Sequence, residues 1–460
     1  MAQPHKSDKD SMLVSEGSYR RFVRALEIDT RMIGMLAALV LIWISFDLYG
    51  AFFLGRESIL LGGTGVGNFL SARNIFTLSL QAASISVMAT GMVLIIVTRN
   101  IDLSVGSLLG FTGMVMGVLQ VDVLPNILGG GSPAIWVVTL LCGIAVGALI
   151  GALNGYLVAY QELPSFIVTL GGLLVWRGAA WWVARGETVA PMDPTFRIIG
   201  GQPPAGTIGA TWTWVVAAIV VAAIVVAALV FALYNQRQQR KRFEFPLRPI
   251  WADTLLGLVG AALAFGAAAL FNSYPLPEKL AAAYAEKNGI PIPQDGVLFI
   301  SHGFPVPLLV ALFVAFGMNF LAKRTGFGRY VFSIGGNPEA ANLAGINTRA
   351  VIVMLFALMG SLAAISAAIS TARLNAATNA LGVSDELFTI AAAVVGGTSL
   401  AGGSGTVYGA LLGALVMQSL QSGMVLIGVD SALQQIVVGL VLVLAIWIDH
   451  RYRKASKQGA

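Results

Sequence analysis

Cysteine and histidine are almost absent from this chain of 460 residues. The single cysteine, Cys142, lies in an apolar stretch, and the three histidines (His5, His302 and His450) are far apart. One thiol cannot form an internal disulfide, and the isolated histidines do not have the short spacings typical of a metal site. We therefore expect neither a disulfide framework nor a bound metal.

Charged residues are also scarce. They make up 11% of the chain, hydrophobic residues make up 57%, and the mean hydropathy is +0.81. Because about a quarter of the residues of an ordinary soluble domain are charged, this composition excludes that class. The net charge of +6 comes from basic residues at the ends of apolar stretches, which is typical of membrane orientation and excludes a nucleic-acid partner.

Nucleotide-binding and catalytic motifs are missing as well. The chain contains no Gly-x-x-x-x-Gly-Lys-Ser/Thr sequence, and the glycine clusters at 62–65 and 402–405 lack the lysine of a phosphate-binding loop. It also lacks paired carboxylates and a Ser/His/Asp set. We expect no catalytic residue, no cofactor and no enzyme activity. If ATP drives this protein, another chain must bind it.

Long apolar stretches are what the chain does contain. A helix that crosses a bilayer needs about 20 apolar residues. Stretches of this kind predict an all-α, polytopic membrane helical bundle of about 12 transmembrane helices, in which the tenth stretch is too short for a regular span. The stretches lie near residues 32–54, 75–98, 104–121, 135–159, 165–184, 212–234, 250–271, 305–322, 350–371, 387–400, 406–427 and 432–448.

The distribution of lysine and arginine predicts the orientation. If the amino terminus is inside, the inner segments hold nineteen of these residues and the outer segments seven. This excess matches the preference of basic residues for the cytoplasmic side. We expect a cytoplasmic tail (1–31) without a removable secretory signal, a transmembrane domain (32–448) and a second cytoplasmic tail (449–460).

Two further segments are predicted in addition to the core spans. Residues 272–304 are predicted to form an extracytoplasmic insertion that contains a short surface helix and a return through Pro291 and Pro293. The stretches near 212–234 and 250–271, joined by the basic loop at 237–242, are predicted to form an added hairpin of two spans.

A polar, glycine-rich loop at 323–349 separates two apolar stretches and is framed by basic residues. Within it Asn337 is the predicted N-cap of a short helix, Pro338 its first residue, and Gly345 its end. A polar helix at the cytoplasmic face is not needed for membrane insertion, so the pattern favours a docking element over a plain solvated loop.

Residues 333–347 resemble the coupling helix of ABC importer permeases, in the form found in bacterial ribose- and xylose-type sugar permeases. Further matches to these permeases lie at 101–107, 154–160, 164–171 and 396–403, and the resemblance covers most of residues 68–449. The added hairpin is similar to the layout of xylose permeases. The resemblance assigns ATPase coupling to Asn337, Pro338, Glu339, Ala340, Ala341, Gly345 and Asn347.

The resemblance also implies the partners and the location. A permease of this kind forms a homodimer in the bacterial inner membrane, surrounded by lipid, with both termini cytoplasmic. It docks on an ABC ATPase subunit and receives a monosaccharide, here a xylose-like pentose or related sugar, from a periplasmic sugar-binding protein. No nucleic acid is expected as a partner.

Several polar residues are candidates for the translocation path or its gate. They are Gln81, Asp102, Ser104, Asn154, Ser165, Thr169 and Arg177. For Asp102, Ser104 and Ser165 the alternative is a helix cap. For Arg177 it is a side chain that extends to the outer interface among the tryptophans of an aromatic belt.

Two other classes of function remain possible from the residues alone. A stand-alone secondary sugar carrier needs ionisable coupling residues within the membrane. Only Asp102 and Arg177 are candidates for this role, and both are weak ones. A membrane enzyme acting on a lipid-linked substrate needs clustered His, Asp or Glu at an interface, and no such cluster is present.

Overall fold

The computed structural model describes residues 30–202, 207–208, 212–291 and 298–458. The predicted tail at 1–31 therefore lies almost wholly outside the described residues, as does Pro293. Helices dominate the described chain. In chain order they are α1 (Thr30–Leu54), α2 (Ala72–Val97), α3 (Val105–Val118), α4 (Ala134–Ala159), α5 (Ser165–Val183), α6 (Trp212–Arg242), α7 (Ile250–Asn272), α8 (Glu278–Asn288), α9 (Val306–Arg324), α10 (Gly326–Gly336), α11 (Pro338–Leu343), α12 (Thr348–Leu374), α13 (Asp385–Val395), α14 (Val407–Leu426) and α15 (Ser431–Gln458).

The helices confirm the all-α polytopic class. Among the described residues ten helices are long and apolar enough to cross a membrane, and a shorter apolar segment, Ser431–Leu444, lies in α15. The predicted tenth stretch corresponds to α13, which has only 11 residues. The helix α3 continues through a π-helical turn (Leu119–Val123) into a last helical turn (Leu124–Leu128).

The helices differ greatly in burial, and this divides the bundle into a centre and a periphery. In α2, 89% of the most apolar window is buried inside the protein, whereas the corresponding share is 6% in α6 and 11% in α7. The helix α2 therefore lies at the centre, where it packs against α12, α14, α9 and α13. The α6–α7 hairpin exposes its apolar side chains at the edge, as expected for an added pair of spans facing lipid.

Glycines allow the closest helix pair of the bundle. Gly143, Gly147, Gly151 and Gly155 recur every four residues in α4 and so lie on one face. A β-carbon at Gly147 would collide with the carbonyl of Gly360, and one at Gly151 with the carbonyl of Phe356, both in α12. The sequence prediction that these glycines serve helix packing is thus confirmed.

The predicted insertion contains the expected surface helix, α8. Its inner face packs on a small cluster formed by Leu276, Ala281 and Ile300. Where the insertion returns, the His302 ring stacks on Tyr274, with 4.1 Å between ring centroids. A two-stranded antiparallel pair, β1 (Thr207–Ile208) and β2 (Phe304–Pro305), follows at the same end of the bundle.

Candidate functional site

A polar cleft opens between α2, α12, α13 and α14. Its volume is about 310 Å³, which is at the lower limit of ordinary small-molecule sites. Its α2 residues run from Asn74 to Ile85, which is roughly 16 Å along a helix axis. The cleft therefore reaches from one end of the bundle towards its middle. Its lining comprises Asn74, Thr77, Gln81, Ser84, Ile85, Ser370, Arg373, Asp385, Gln418, Gln421, Ser422, Val425 and Leu426.

Hydrogen bonds between helices hold the uncharged part of this lining. The Gln418 amide donates to Gln81 Oε1 at 3.0 Å, and the Ser422 hydroxyl donates to Asn74 Oδ1 at 3.1 Å. Deeper along α2, the hydroxyls of Ser84 and Ser370 are 2.9 Å apart. These bonds join α2 to α12 and α14 and leave amide and hydroxyl groups along the walls.

Two charged side chains face the cleft from different walls. Arg373 lies in the last turn of α12 and Asp385 is the first residue of α13. Each is only partly exposed and each acts electrostatically on the other. Neither side chain makes a hydrogen bond or ion pair with another residue that the structure describes. The cleft thus contains one cationic and one anionic group that are not hydrogen-bonded to each other.

The chain between α12 and α13 crosses part of the bundle without forming a helix. Arg177 of α5 donates hydrogen bonds to three carbonyls of this segment, Asn379 (3.2 Å), Leu381 (2.7 Å) and Gly382 (3.0 Å). Irregular backbone at membrane depth requires internal partners of this kind. Arg177 thus binds the backbone of this segment, a partner that neither interpretation from the sequence included.

A second polar cluster lies at the start of α3. Asp102 Oδ1 accepts hydrogen bonds from the Ser104 amide (2.9 Å) and the Ser104 hydroxyl (2.6 Å), and Asn154 of α4 donates to that hydroxyl at 3.1 Å. All three residues are buried. Burial raises the pKa of the Asp102 carboxyl, and the two bonds from Ser104 oppose the rise. Of the two proposed caps, Asp102 orders the turn, whereas Ser104 makes no capping bond.

The loops before α3 and α5 meet beside this cluster. The Ser165 hydroxyl accepts from the Ile101 amide at 3.2 Å, and Thr169 donates to the Ile101 carbonyl at 3.2 Å. The alternative role of Ser165 as a cap of α5 was wrong, because its hydroxyl makes no capping bond and binds the other loop instead. The structure thus brings together five of the seven path candidates, Asp102, Ser104, Asn154, Ser165 and Thr169.

The loop at 325–347 protrudes at this end of the bundle. Asn337 Oδ1 accepts from the Ala340 amide at 3.0 Å and so caps α11, Pro338 begins the helix, and Gly345 follows it with φ +83°. The three local predictions for this helix are confirmed. Asn347 Oδ1 accepts from the Ala350 amide at 3.0 Å, which makes it the N-cap of α12.

Exposure divides the residues of this loop into two groups. Asn337, Pro338, Glu339, Ala340, Gly345 and Asn347 are exposed, whereas Ala341 is buried against the core. Sequence reasoning missed Leu343, which is 90% exposed and is the most exposed large apolar side chain of the described chain.

Contacts to neighbouring loops fix the position of α11. Arg99, at the end of α2, donates to the carbonyls of Gly335 (3.1 Å) and Gly336 (2.7 Å). The Gly403 amide donates to the Val97 carbonyl at 2.9 Å. At the exposed edge Arg349 pairs with Glu162 at 2.7 Å. The end of α10, directly before α11, is therefore bonded to the end of α2, which is also bonded to the loop before α14, and the start of α12 is paired with the loop after α4.

Comparison with known proteins identifies this architecture. Residues 74–446 match the family described as the permease component of branched-chain amino acid transport systems. The chain belongs to this permease family. The matched region begins in α2 and ends in α15, and thus includes the cleft, the polar cluster and the protruding loop.

Curated relatives of the permease have sugar-transport names. The xylose transport system permease protein of Haemophilus influenzae is 36% identical over 390 residues, which are 84% of this chain and 92% of that protein. The ribose import permease protein of Escherichia coli K12 is 30% identical over 384 residues, 84% and 88% of the two chains. The resemblance to ribose- and xylose-type permeases is confirmed. No solved structure matches the permease.

The sequence did not reveal the charges of the cleft. Gln81 is the only one of the seven path candidates that lines it. Arg373, Asp385 and Glu386 are not among the candidates predicted from the sequence. An acidic pair at the start of a stretch too short to span was the available signal, because interrupted helices mark transport sites in other membrane proteins. Arg373 and Asp385 thus join Asp102 and Arg177 as ionisable residues inside the bundle.

Proposed function

We propose that this protein is the transmembrane subunit of an ATP-binding-cassette importer that moves a monosaccharide, a xylose-like pentose or related sugar, from periplasm to cytoplasm. A separate ATPase subunit drives the movement. The observation that carries the proposal is the 36% identity to a xylose transport permease over 92% of that protein's length. The family's own description names branched-chain amino acids, so leucine is the contrasting substrate to test.

The protruding helix α11 is the proposed docking element for the ATPase. Glu339 in its first turn and Leu343 at its end are both exposed, while Ala341 holds the helix on the core. An apolar side chain with a nearby charge suits a small interface in which one buried contact supplies most of the affinity. Movement of α11 would pass to α2 through Arg99 and to the loop before α14 through Gly403.

The polar cluster of Asp102, Ser104 and Asn154, together with Ser165 and Thr169, is the proposed inner gate. It lies at the same end of the bundle as α11, and its hydrogen bonds join α3, α4 and α5. Small hydroxyl and amide groups can exchange these bonds for bonds to a sugar or to water. The cleft lined by Gln81 opens at the other end, so the two sites mark the two ends of the proposed path.

The remaining partners follow from this assignment. We propose a homodimer in the bacterial inner membrane, with both termini, the loop at 323–349 and the tails at 1–31 and 449–460 in the cytoplasm. The insertion at 272–304 then faces the periplasm, beside the mouth of the cleft, where a sugar-binding protein would dock. Lipid would cover the exposed apolar faces of α6 and α7.

The test is a reconstituted transporter made from the permease, its ATPase and its binding protein in liposomes. We expect uptake of labelled D-xylose that requires ATP, and stimulation of ATP hydrolysis by the sugar-loaded binding protein. Uptake of leucine instead of any sugar would overturn the substrate assignment.

The variant Glu339→Lys should assemble normally yet lose the stimulation, because it reverses a charge on the docking surface. Glu244→Lys is the matched control, since Glu244 is an exposed glutamate in the α6–α7 loop. If Glu339→Lys keeps the stimulation of the wild type, α11 is not the coupling element.

A further inference from the structure

We propose that Arg373 and Asp385 bind the hydroxyl groups of a neutral sugar directly, so that the permease contains its own low-affinity polyol site in the cleft. This inference rests on the proposed function and deepens it. It assigns part of the substrate selection to the membrane subunit, in addition to any selection by a binding protein.

The positions of the two charges make them available to a ligand. Both side chains line the cleft, and they extend from different elements, the end of α12 and the start of α13. They interact electrostatically across the cleft without forming a hydrogen bond or an ion pair between described residues. Structural ion pairs in a bundle normally close into direct contact. An open pair leaves both groups free to accept or donate hydrogen bonds.

The cost of this arrangement indicates a function. Partly buried charges without hydrogen-bonded partners are unfavourable within a membrane bundle, and such residues are retained mainly where they serve a pathway. A ligand that supplies hydrogen bonds to both groups recovers part of this cost. The fold maintains the opening, because Arg177 fixes the segment before Asp385 through three carbonyls.

A neutral polyol fits the chemistry of the walls. A carboxylate accepts hydrogen bonds from two hydroxyls, and a guanidinium donates to hydroxyl oxygens in a planar fork. The amides of Gln81, Gln418 and Gln421 add donors and acceptors around them. Because the two charges balance, the lining offers no net charge that would favour a sugar acid or a sugar amine over a neutral sugar. Three apolar side chains complete the lining, Ile85, Val425 and Leu426.

Thermal unfolding of the purified permease–ATPase complex, titrated with D-xylose, tests the site without the binding protein. We expect D-xylose to raise the midpoint of unfolding of the wild type. In Asp385→Asn and Arg373→Gln the concentration needed for half of this shift should rise by roughly tenfold or more, as expected for the loss of a charged hydrogen bond. Asp122→Asn and Arg185→Gln are the matched controls, since both residues are exposed outside the cleft.

A change of selectivity separates a binding role from a structural one. Asp385→Asn leaves the cleft with a net positive charge, so D-xylonate, which should not protect the wild type, should protect this variant. Asp385→Glu should restore the preference for D-xylose. If both variants lower the unfolding midpoint without changing either ligand response, the two residues are structural and the inference is wrong.

Two further outcomes separate this inference from the proposed function. If the complete wild-type transporter takes up D-xylose but the sugar does not protect the complex, only the polyol site is overturned. If L-leucine protects the wild type better than D-xylose, the open charge pair binds a zwitterion. That result, together with leucine uptake by the complete transporter, overturns both the polyol site and the proposed transport of a sugar.

Discussion

Arg177 shows how one side chain stabilises an irregular crossing. Its three hydrogen bonds satisfy the carbonyls of Asn379, Leu381 and Gly382, which no helix would satisfy. A bonded guanidinium in this position replaces the intrahelical bonds that the segment lacks. The segment between α12 and α13 therefore depends on a residue of α5.

Replacement of this residue gives a direct prediction. Arg177→Gln should destabilise the permease by about 3 kcal/mol, because bonds to a charged donor contribute about 1.5–3 kcal/mol each and glutamine cannot reach all three carbonyls. Thermal unfolding in detergent measures the effect. Arg185→Gln, at an exposed arginine beyond the same helix, should leave the midpoint almost unchanged. An equal midpoint for the two variants would contradict the role assigned to Arg177.

Asp102 allows the cap and gate roles to be separated. Asparagine retains an oxygen that can accept both bonds from Ser104, so Asp102→Asn should assemble normally. If the gate depends on the carboxylate charge, sugar uptake by the reconstituted transporter should fall several-fold. Asp122→Asn, at an exposed aspartate, controls for the loss of one charge. Normal uptake by Asp102→Asn would restrict Asp102 to ordering the turn.

The sequence predicts the roles of residues that act on their own helix. It does not predict hydrogen bonds between residues far apart in the chain. Asn337 and Gly345 act on their own helix, so their neighbours in sequence reveal their roles. Ser165 and Arg177 bind groups that are 64 and more than 200 residues away in the chain. A hydroxyl before a helix and an arginine near tryptophans match common local patterns. These patterns do not identify the partner in either case.

Among the packing contacts between helices, the one between α4 and α12 is the most extensive. The glycine face of α4 lies directly on the backbone of α12, and Gly360 of α12 returns the contact by lying against the Gly147 carbonyl. The four-residue spacing was sufficient to predict a packing face. The partner helix, some 200 residues further along the chain, could not be predicted, because the spacing contains no information about it.

Two glycines give a matched test of this packing. Gly151→Ala places a methyl group against the Phe356 carbonyl, whereas Gly178→Ala, in α5, meets nothing within 4 Å. We expect Gly151→Ala to lower the unfolding midpoint and the yield of folded protein. Gly178→Ala should be neutral or stabilising by up to about 1 kcal/mol, because alanine favours helix more than glycine does. An unchanged unfolding midpoint of Gly151→Ala would contradict this role, because it would mean that α4 and α12 can move apart with no loss of stability.

At the scale of the whole molecule the bundle has two chemically different ends. One end presents α11, the polar cluster around Asp102 and the loop before α14, and the other presents the mouth of the cleft and the insertion with α8. The distribution of basic residues predicts that the first end is cytoplasmic. The sequence thus predicts the all-α polytopic class, whereas the cleft arises only when four helices from both halves of the chain meet.

Labelling in intact cells tests this orientation. In a background with Cys142 replaced, a cysteine at Lys287 should react with an impermeant thiol reagent added outside, because Lys287 is an exposed residue of the insertion. A cysteine at Glu244, exposed in the α6–α7 loop, should react only after the membrane is disrupted. The opposite pattern would reverse the proposed topology.

The dependence of the segment between α12 and α13 on Arg177 also bears on how the protein is made. The fifth span leaves the ribosome more than 200 residues before the carbonyls that its arginine binds. Until they arrive, the guanidinium must keep water or lipid headgroups as partners, and the irregular segment between α12 and α13 cannot enter the bilayer alone at low cost. We therefore expect insertion of that segment to be a late step of biogenesis, completed once the earlier helices surround it.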